Sequence, residues 1–289
     1  MKLSIHRPFR LSVQGLCLAL GLIFSSALCQ AQQIDLGVAG QYSAFIFGNV
    51  SNVTDVEGRL AVGGALNTPG GNIGGKMNPN DTRPALVIGG NLVAYAGSLG
   101  SGTNNGFAIY SGTKGASPKV ASYLDFRKQD VGPIDFEAER TYLTVLSQQL
   151  RAAPATGTVS QLYAQITLTG SNKDIEIFNL TADHVVSTYN FVLANVKQDA
   201  YLILNVASNA QRTIKFGISM TAFINRHSKV LINMYDTELL NFNNAGVYGS
   251  VLAPFACIKN SGGHLEGIVI AASWDSNMEV GTTLFVPTN

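Results

Sequence analysis

The stretch VYGSVLA at residues 247–253 is followed 18 residues later by LEGIVIA at residues 265–271, and both have a glycine at their third position. An offset of this size is close to one coil of a parallel β-helix. In such a solenoid each coil buries its inward apolar side chains against the next coil, while glycine and asparagine fit the tight corners. The pair therefore favours a parallel β-helix, and the alternative is two hairpin strands of a β-sandwich.

A second pair of similar segments lies earlier in the chain, where LAVGGAL at 60–66 is echoed by LVIGGNL at 86–92. The run DVEGRLAV at 55–62 alternates polar and apolar side chains at its start, which predicts one half-buried strand. Residues 63–84 are rich in glycine and proline and are typical of a loop. Further strands, separated by asparagine-rich turns, are predicted at 166–169, 175–178, 200–206, 229–234 and 238–242.

One amphipathic helix is predicted at about residues 135–152. Asp135 is a good N-cap residue, and Glu137 and Glu139 complement the helix dipole in the first turn. An apolar stripe at helical spacing is formed by Phe136, Leu143, Leu146 and Leu150. We therefore predict a mainly β protein, a right-handed parallel β-helix with one long amphipathic α-helix packed along its side.

The N-terminus has the pattern of a cleaved export signal. Lys2, Arg7 and Arg10 form a positive region, residues 13–28 are almost entirely apolar, and CQA at 29–31 fits a signal-peptidase site. The apolar stretch is short for a membrane anchor. We predict a signal peptide at residues 1–31, a single domain at residues 32–289, and a protein that is secreted or loosely associated with the cell surface.

Composition and charge exclude several classes of function. The net charge is +1 and 13% of the residues are charged, so strong nucleic-acid binding is not expected. Loss of residues 1–31 would remove three of 19 basic residues and none of 18 acidic ones, which leaves a weakly acidic chain. Cys257 would then be the only cysteine, and we expect a buried, unreactive thiol. No later stretch has the roughly 18 apolar residues that span a membrane.

The order of these motifs resembles that of the choice-of-anchor A domain family. The matching stretches are LGVAGQYSAF at 36–45, DVEGRLAVGG at 55–64, LVIGGNL at 86–92, LSQQL at 146–150, GSVLAP at 249–254 and GIVIA at 267–271. The resemblance covers about residues 34–285 and implies an exported bacterial surface or matrix domain. Some relatives are described as collagen-binding or adhesin-like. No C-terminal anchor is visible here, which implies release or non-covalent retention at the surface.

The layout is more distantly similar to the bacterial ice-binding β-helix family. Those proteins also open with a Leu-Gly-x-Ala-x-x-Phe-like strand and end on a Val-Leu-Ala … Gly-x-x-Ala pair, and they carry a long helix along a β-helix. Ice binding needs a flat, regular face of Thr, Ser or Ala. Thr167 with Thr169, and Thr282 with Thr283, are the suggestive positions. Ice binding is therefore the second hypothesis for the function.

Residues with catalytic or metal-binding patterns are scarce. His184, His227 and His264 do not have the spacing of metal ligands, and no nucleophile elbow or phosphate-binding loop is present. A β-helix carbohydrate-active enzyme, the third hypothesis, would need two carboxylates that meet in one groove. We therefore predict that the protein is not an enzyme and uses no metal or cofactor.

The densest local set of charged residues is Asp55, Glu57 and Arg59. On one strand these three side chains would share a face, which is compatible with a small polar binding site or a Ca²⁺ ligand pair. The alternative is an ordinary solvated strand face. Aromatic side chains that could contact a glycan or protein are Tyr42, Tyr95, Tyr110, Tyr163 and Trp274, although most are expected in the core or in turns.

Taken together, these features predict a secreted, non-catalytic, adhesin-like protein. Its partner is expected to be an extracellular protein, such as a collagen-like one, or a glycan. No nucleic-acid partner and no membrane span in the mature chain are expected.

Overall fold

The segments that repeat in the sequence are neighbouring parallel strands in the computed structural model, which describes residues 33–101, 106–186 and 189–288. Residues 251–253 lie opposite residues 269–271, so the 18-residue offset is the step from one strand to the next. Residues 60–62 lie opposite residues 86–88 in the same manner. Since a hairpin would make neighbouring strands antiparallel, the hairpin alternative is wrong.

The described chain consists of short strands, one α-helix and three 3₁₀ turns. The strands before the helix are β1 (Ala44–Ile46), β2 (Val50–Ser51), β3 (Asp55–Val56), β4 (Leu60–Val62), β5 (Leu66–Asn67), β6 (Asn72–Ile73), β7 (Leu86–Ile88), β8 (Leu92–Ala94), β9 (Ser98–Leu99), β10 (Phe107–Tyr110) and β11 (Asp125–Lys128). The helix α1 spans Phe136–Ala152. The 3₁₀ turns span Gly37–Gln41, Ala182–Val185 and Thr221–Lys229.

Thirteen further strands follow the helix. They are β12 (Thr158–Leu162), β13 (Gln165–Thr169), β14 (Ile175–Thr181), β15 (Asn190–Ala194), β16 (Tyr201–Ala207), β17 (Thr213–Phe216), β18 (Val230–Asn233), β19 (Leu239–Phe242), β20 (Ala245–Tyr248), β21 (Ser250–Lys259), β22 (Gly263–Glu266), β23 (Val269–Asp275) and β24 (Glu279–Val280). Within the described residues all 24 strands together form sheets of 15, six and three strands, and the strand pairs are parallel except for β12 with β13. The chain is therefore mainly β with parallel sheets, as the sequence predicts.

The beginning and the end of the described chain meet in the middle of the 15-stranded sheet. Its longest series of neighbours is β11-β10-β7-β4-β1-β23-β21-β18-β16-β14. In chain order, β1, β4, β7, β10 and β11 lie progressively closer to one edge of the sheet. In the second half, β14 lies at the opposite edge, and β16, β18, β21 and β23 lie progressively closer to β1. There β23 pairs with β1. In sequence, α1 separates the two halves.

Two long strands, β21 and β23, each take part in two rows of the 15-stranded sheet. The first part of β23 pairs with β1 and its second part pairs with β2. In the same way β21 pairs first with β18 and then with β19. We call the row that contains β1 the helix-side row, and the row β8-β5-β2-β23-β21-β19-β17 the outer row.

Helix α1 covers the helix-side row. The Asp135 side chain caps it by accepting a hydrogen bond from the backbone N–H of Ala138 at 3.0 Å. Burial of each leucine of the predicted stripe contributes about 1.5–3 kcal/mol. Leu143, Leu146 and Leu150 share one buried cluster with the strand residues Phe45, Ala61, Val87, Ile203, Leu231, Leu252 and Ile270. The predicted helix and its apolar stripe are therefore confirmed.

The single strand predicted at residues 55–62 is wrong. Strand β3 ends at Val56, the chain bends at Glu57 and Gly58, and β4 begins at Leu60 in a different sheet. A Cβ atom at Gly58 would lie 2.2 Å from the Ser43 Oγ atom, so a side chain at this bend would require Ser43 to move. The loop predicted at 63–84 also contains the short strands β5 and β6. The predicted signal peptide at residues 1–31 lies outside the described residues.

Candidate binding surfaces

Arg59 does not share a face with Asp55 and Glu57, because the bend after β3 directs it into the protein. Its Nε atom donates to the Pro84 carbonyl oxygen at 3.0 Å, and its Nη2 atom donates to the Tyr42 hydroxyl at 3.0 Å. The guanidinium carbon also lies 4.2 Å from the centre of the Tyr42 ring. Arg59 is thus buried and held by internal partners.

Asp55 lies in a row of polar residues that crosses the six-stranded sheet. Its strand neighbours are Glu279 on one side and Asn72 on the other, and His264 follows beyond Glu279. The His264 Nδ1 atom is 3.4 Å from the Glu279 Oε1 atom. The row therefore combines two carboxylates with an imidazole, and two further carboxylates flank it.

The two flanking carboxylates, Glu57 and Glu266, have partners within the chain. Glu57 is buried and forms an ion pair with Lys76. Glu266 accepts hydrogen bonds from His264 at 2.9 Å and from the Thr283 hydroxyl at 2.9 Å. Burial alone would raise the pKa of Glu266, but these hydrogen bonds outweigh it and the pKa is lowered.

Asp55 has the opposite electrostatic setting. Burial and the neighbouring Glu57 carboxylate raise the pKa of Asp55 above its ordinary value, and its Oδ1 atom is buried without a hydrogen-bond partner. In the part of the chain that the structure describes, no group of three or more His, Cys, Asp or Glu side chains is placed to hold a metal ion. The Ca²⁺ interpretation of Asp55 and Glu57 finds no support there.

The outer row exposes a polar strip that the sequence analysis did not identify. On β17 and β19, the apolar residues Ile214 and Leu240 point into the core. The residues next to them on each strand point outward. Lys215 lies opposite Asn241. The Asn241 Nδ2 atom donates to the Lys259 carbonyl oxygen at 3.0 Å. Strands β17, β19 and the end of β21 thus bring two lysines and an asparagine side by side.

These residues border a depression of about 430 Å³, which we call the lysine groove. Within the described residues neither Lys215 nor Lys259 forms a salt bridge, whereas the nearby Arg212 is paired with Glu238. None of the lining residues is acidic. The groove is lined by Thr213, Lys215, Leu239, Asn241, Asn243, Lys259 and Asn260.

Most of the aromatic candidates belong to the core. Tyr42, Tyr95, Tyr110 and Trp274 are buried, whereas Tyr163 is 89% exposed. Cys257 is only half-buried, in contrast to the prediction of a buried thiol, and it lies beside the lysine groove opposite Leu239 on β19. No helix among the described residues is long and apolar enough to cross a membrane.

A family model described as "Putative Ice-binding-like adhesive domain" matches residues 35–282. The chain belongs to this family. The match includes every strand from β1 to β24 and helix α1, and it supports the ice-binding-like part of the resemblance seen in the sequence. No curated protein and no solved structure matches the chain significantly.

An ice-binding-like adhesive domain meets its partner outside itself, so the sheet surfaces left open are the relevant ones. Helix α1 covers the helix-side row. The six-stranded sheet and the outer row remain, the first with its row of carboxylates and His264, the second with the lysine groove. The three-stranded sheet β12-β13-β15 is also open, and its strands carry no charged residue. These three surfaces are the candidate binding surfaces of the domain.

Proposed function

We propose that the chain is a secreted, non-catalytic adhesive domain that binds an extracellular polymer, protein or glycan, through its open sheet surfaces. Membership of the ice-binding-like adhesive family supports adhesion. The observation that carries it is the charge on the outer row and on the six-stranded sheet, and ice binding by the uncharged three-stranded sheet is the second candidate function.

Charged side chains interrupt two of the open surfaces, the outer row and the six-stranded sheet, and disfavour ice binding there. Lys215 and Lys259 project from the outer row, and Asp55 and Glu279 lie side by side on the six-stranded sheet. Such groups hold their own hydration water and break the flatness that an ice-binding face needs. The three-stranded sheet differs, because Thr167 and Thr169 of β13 lie opposite Ser160 and Thr158 of β12 and its strands carry no charged residue. Thr283 is bonded to Glu266.

The same proposal includes a right-handed parallel β-helix in which the rows and the six-stranded sheet are successive faces. Strand pairs at sequence offsets of 16, 18 and 26 residues support this arrangement, since neighbours in each sheet come from similar positions of consecutive repeats. The continuation of β21 and β23 from one row into the next also supports it. A right-handed crossover is the general rule for parallel strands.

Export and surface attachment are further parts of the proposal. The signal-like residues 1–31 support secretion. The motif order that resembles the choice-of-anchor A family supports a bacterial surface or matrix role, with collagen-like protein as one candidate partner. The charged set Asp55 and Glu57 remains a predicted contact region for that partner, while Arg59 acts from within by holding Tyr42.

Catalysis is excluded from the proposal. A depression at the start of α1 contains Asp130, Asp135 and Glu137. Asp135 is already used as the helix cap and Asp130 forms a salt bridge with Lys128 at 3.2 Å, so within the described residues only Glu137 has no such role and the set does not offer the pair of carboxylates that glycosidases use. A polysaccharide incubated with the chain should therefore release no new reducing ends.

Two parallel assays on the full-length chain test the proposed function. Beads that carry the chain are washed over surfaces coated with fibrillar collagen, with polygalacturonate or with neutral dextran, and ice-recrystallisation inhibition is measured beside an inert protein. We expect saturable retention on collagen or polygalacturonate and no inhibition of ice growth. Retention on no surface would overturn the adhesive function, and inhibition of ice growth at micromolar concentration would support the second candidate function.

A further inference from the structure

We propose that the lysine groove binds an acidic polysaccharide. Lys215 and Lys259 contact its carboxylate or sulfate groups, and Asn241 between them contacts its hydroxyl groups. This inference rests on the proposed adhesive function and names the site and the chemistry of one partner.

The two lysine side chains in the groove are placed to bind an anion from another molecule. Lys215 on β17 and Lys259 on β21 are separated by β19, which places their backbones roughly 10 Å apart because neighbouring strands are about 4.8 Å apart. Both side chains are exposed and, among the described residues, neither is in a salt bridge. The nearest carboxylate across the row, Asp275 opposite Lys259, accepts a hydrogen bond from Asn52.

The attraction is local and does not come from bulk charge. The whole sequence has a net charge of +1, and its predicted mature form is weakly acidic. A polyanion is therefore not drawn to the surface in general. It gains energy where two ammonium groups that form no salt bridge among the described residues lie on one open groove.

The other groups in the groove fit a sugar chain better than an acidic polypeptide. Asn241 uses its Nδ2 atom for the carbonyl oxygens of Lys259 and Asn260, so its Oδ1 atom is left to accept from a hydroxyl. Asn243 adds a further exposed amide. Leu239, which is 39% exposed, offers an apolar contact to the C–H face of a pyranose ring. Charges carried on every second ring of a sugar chain are separated by a distance of the same order as the two lysines.

The test compares two lysine pairs in the full-length chain. K215Q/K259Q removes the groove charges, and K119Q/K173Q removes the same charge from exposed lysines elsewhere. Binding to polygalacturonate, dextran sulfate, neutral dextran and polyglutamate is measured at low and physiological salt. We expect the groove variant to bind the anionic polysaccharides about tenfold more weakly, because two exposed ion pairs are lost. The other variant should remain within about twofold of the unmodified chain.

Cys257 provides a second measurement that needs no variant. It lies two residues before Lys259 on β21, so both side chains face the same side of the strand. Bound polygalacturonate should slow alkylation of Cys257 by iodoacetamide, read by peptide mass spectrometry, whereas neutral dextran should not.

Three results would overturn the inference. Equal loss in both variants would mean that charge alone is recognised. Binding of polyglutamate as tight as that of polygalacturonate would point to an acidic protein instead. If no anionic polymer binds but beads are still retained on collagen, the groove inference fails while the adhesive function stands, and if retention is also lost, both fail.

Discussion

At the scale of single residues, two buried amide side chains, those of Asn205 and Asn233, join helix α1 to the sheet beneath it. Asn179, Asn205 and Asn233 are neighbours on β14, β16 and β18. The Asn233 Nδ2 atom donates to the Asn205 Oδ1 atom at 2.8 Å and to the Ser147 carbonyl oxygen at 2.9 Å, and the Ser147 hydroxyl donates back at 2.6 Å. Because buried polar groups are costly when unpaired, this network fixes the position of α1.

We expect N233A to lower the free energy of unfolding by about 2–4 kcal/mol, since it leaves Asn205 and Ser147 unsatisfied and opens a cavity. The measurement is urea unfolding followed by the fluorescence of Trp274, the only tryptophan in the sequence. N243A, at an exposed position, is the matched control and should change stability by less than about 0.5 kcal/mol. Equal effects of the two substitutions would contradict a structural role for the network.

The buried carboxylate of Glu176 makes stability depend on pH. Burial alone would raise its pKa, but hydrogen bonds from Thr156 Oγ1 at 2.5 Å and from the backbone N–H groups of Ser171 and Lys173 at 2.7 and 2.9 Å outweigh burial. The folded pKa is therefore below the ordinary value of 4.5. Its contribution to stability is present at neutral pH and is lost as the pH falls below 4.5 through the folded pKa.

We expect E176Q to be less stable than the unmodified chain at pH 7 and to lose less stability on acidification from pH 5. Unfolding free energies at several pH values between 3 and 7 measure this difference. An equally steep acid dependence in both proteins would show that other carboxylates are responsible.

At the scale of elements, what the sequence predicts well is local and what it misses depends on partners far along the chain. The cap and the apolar stripe of helix α1 are both features of its own local sequence, so the helix is predictable. The bend at Glu57 is not predictable in this way, because a side chain at Gly58 would meet Ser43, which belongs to another segment of the chain. The lysine groove was missed for the same reason: its residues are brought together by strand register across offsets of 26 and 18 residues.

The last repeated segment predicts that a side chain at Gly267 would destabilise the fold. A Cβ atom at this position would lie 2.1 Å from the backbone oxygen of Gly249 on the neighbouring strand turn. We expect G267A to lower the free energy of unfolding by at least about 2 kcal/mol, because backbone atoms must move apart. G70A is the matched control, since nothing lies within 4 Å of its Cβ position. A tolerated G267A, measured by the same urea unfolding, would contradict the tight strand stacking.

At the scale of the whole molecule, the order of strands makes each half of the chain depend on the other. Strand β1 lies between β4 of its own half and β23, which comes 225 residues later. Neither half therefore completes the middle of the 15-stranded sheet alone. Helix α1 adds to this dependence because its buried face contacts strands from both sides of the junction, including Phe45 and Leu252.

We accordingly expect a single cooperative unfolding transition for residues on both sides of the junction. Hydrogen exchange at rising urea concentration measures it, with β4 and β7 reporting on one half and β16 and β18 on the other. Both pairs should lose protection at the same concentration, together with the change in Trp274 fluorescence at the junction itself. If β16 and β18 stayed protected where β4 and β7 had already exchanged, the halves would be separate cooperative units, and the pairing of β1 with β23 would join two bodies that each fold by themselves.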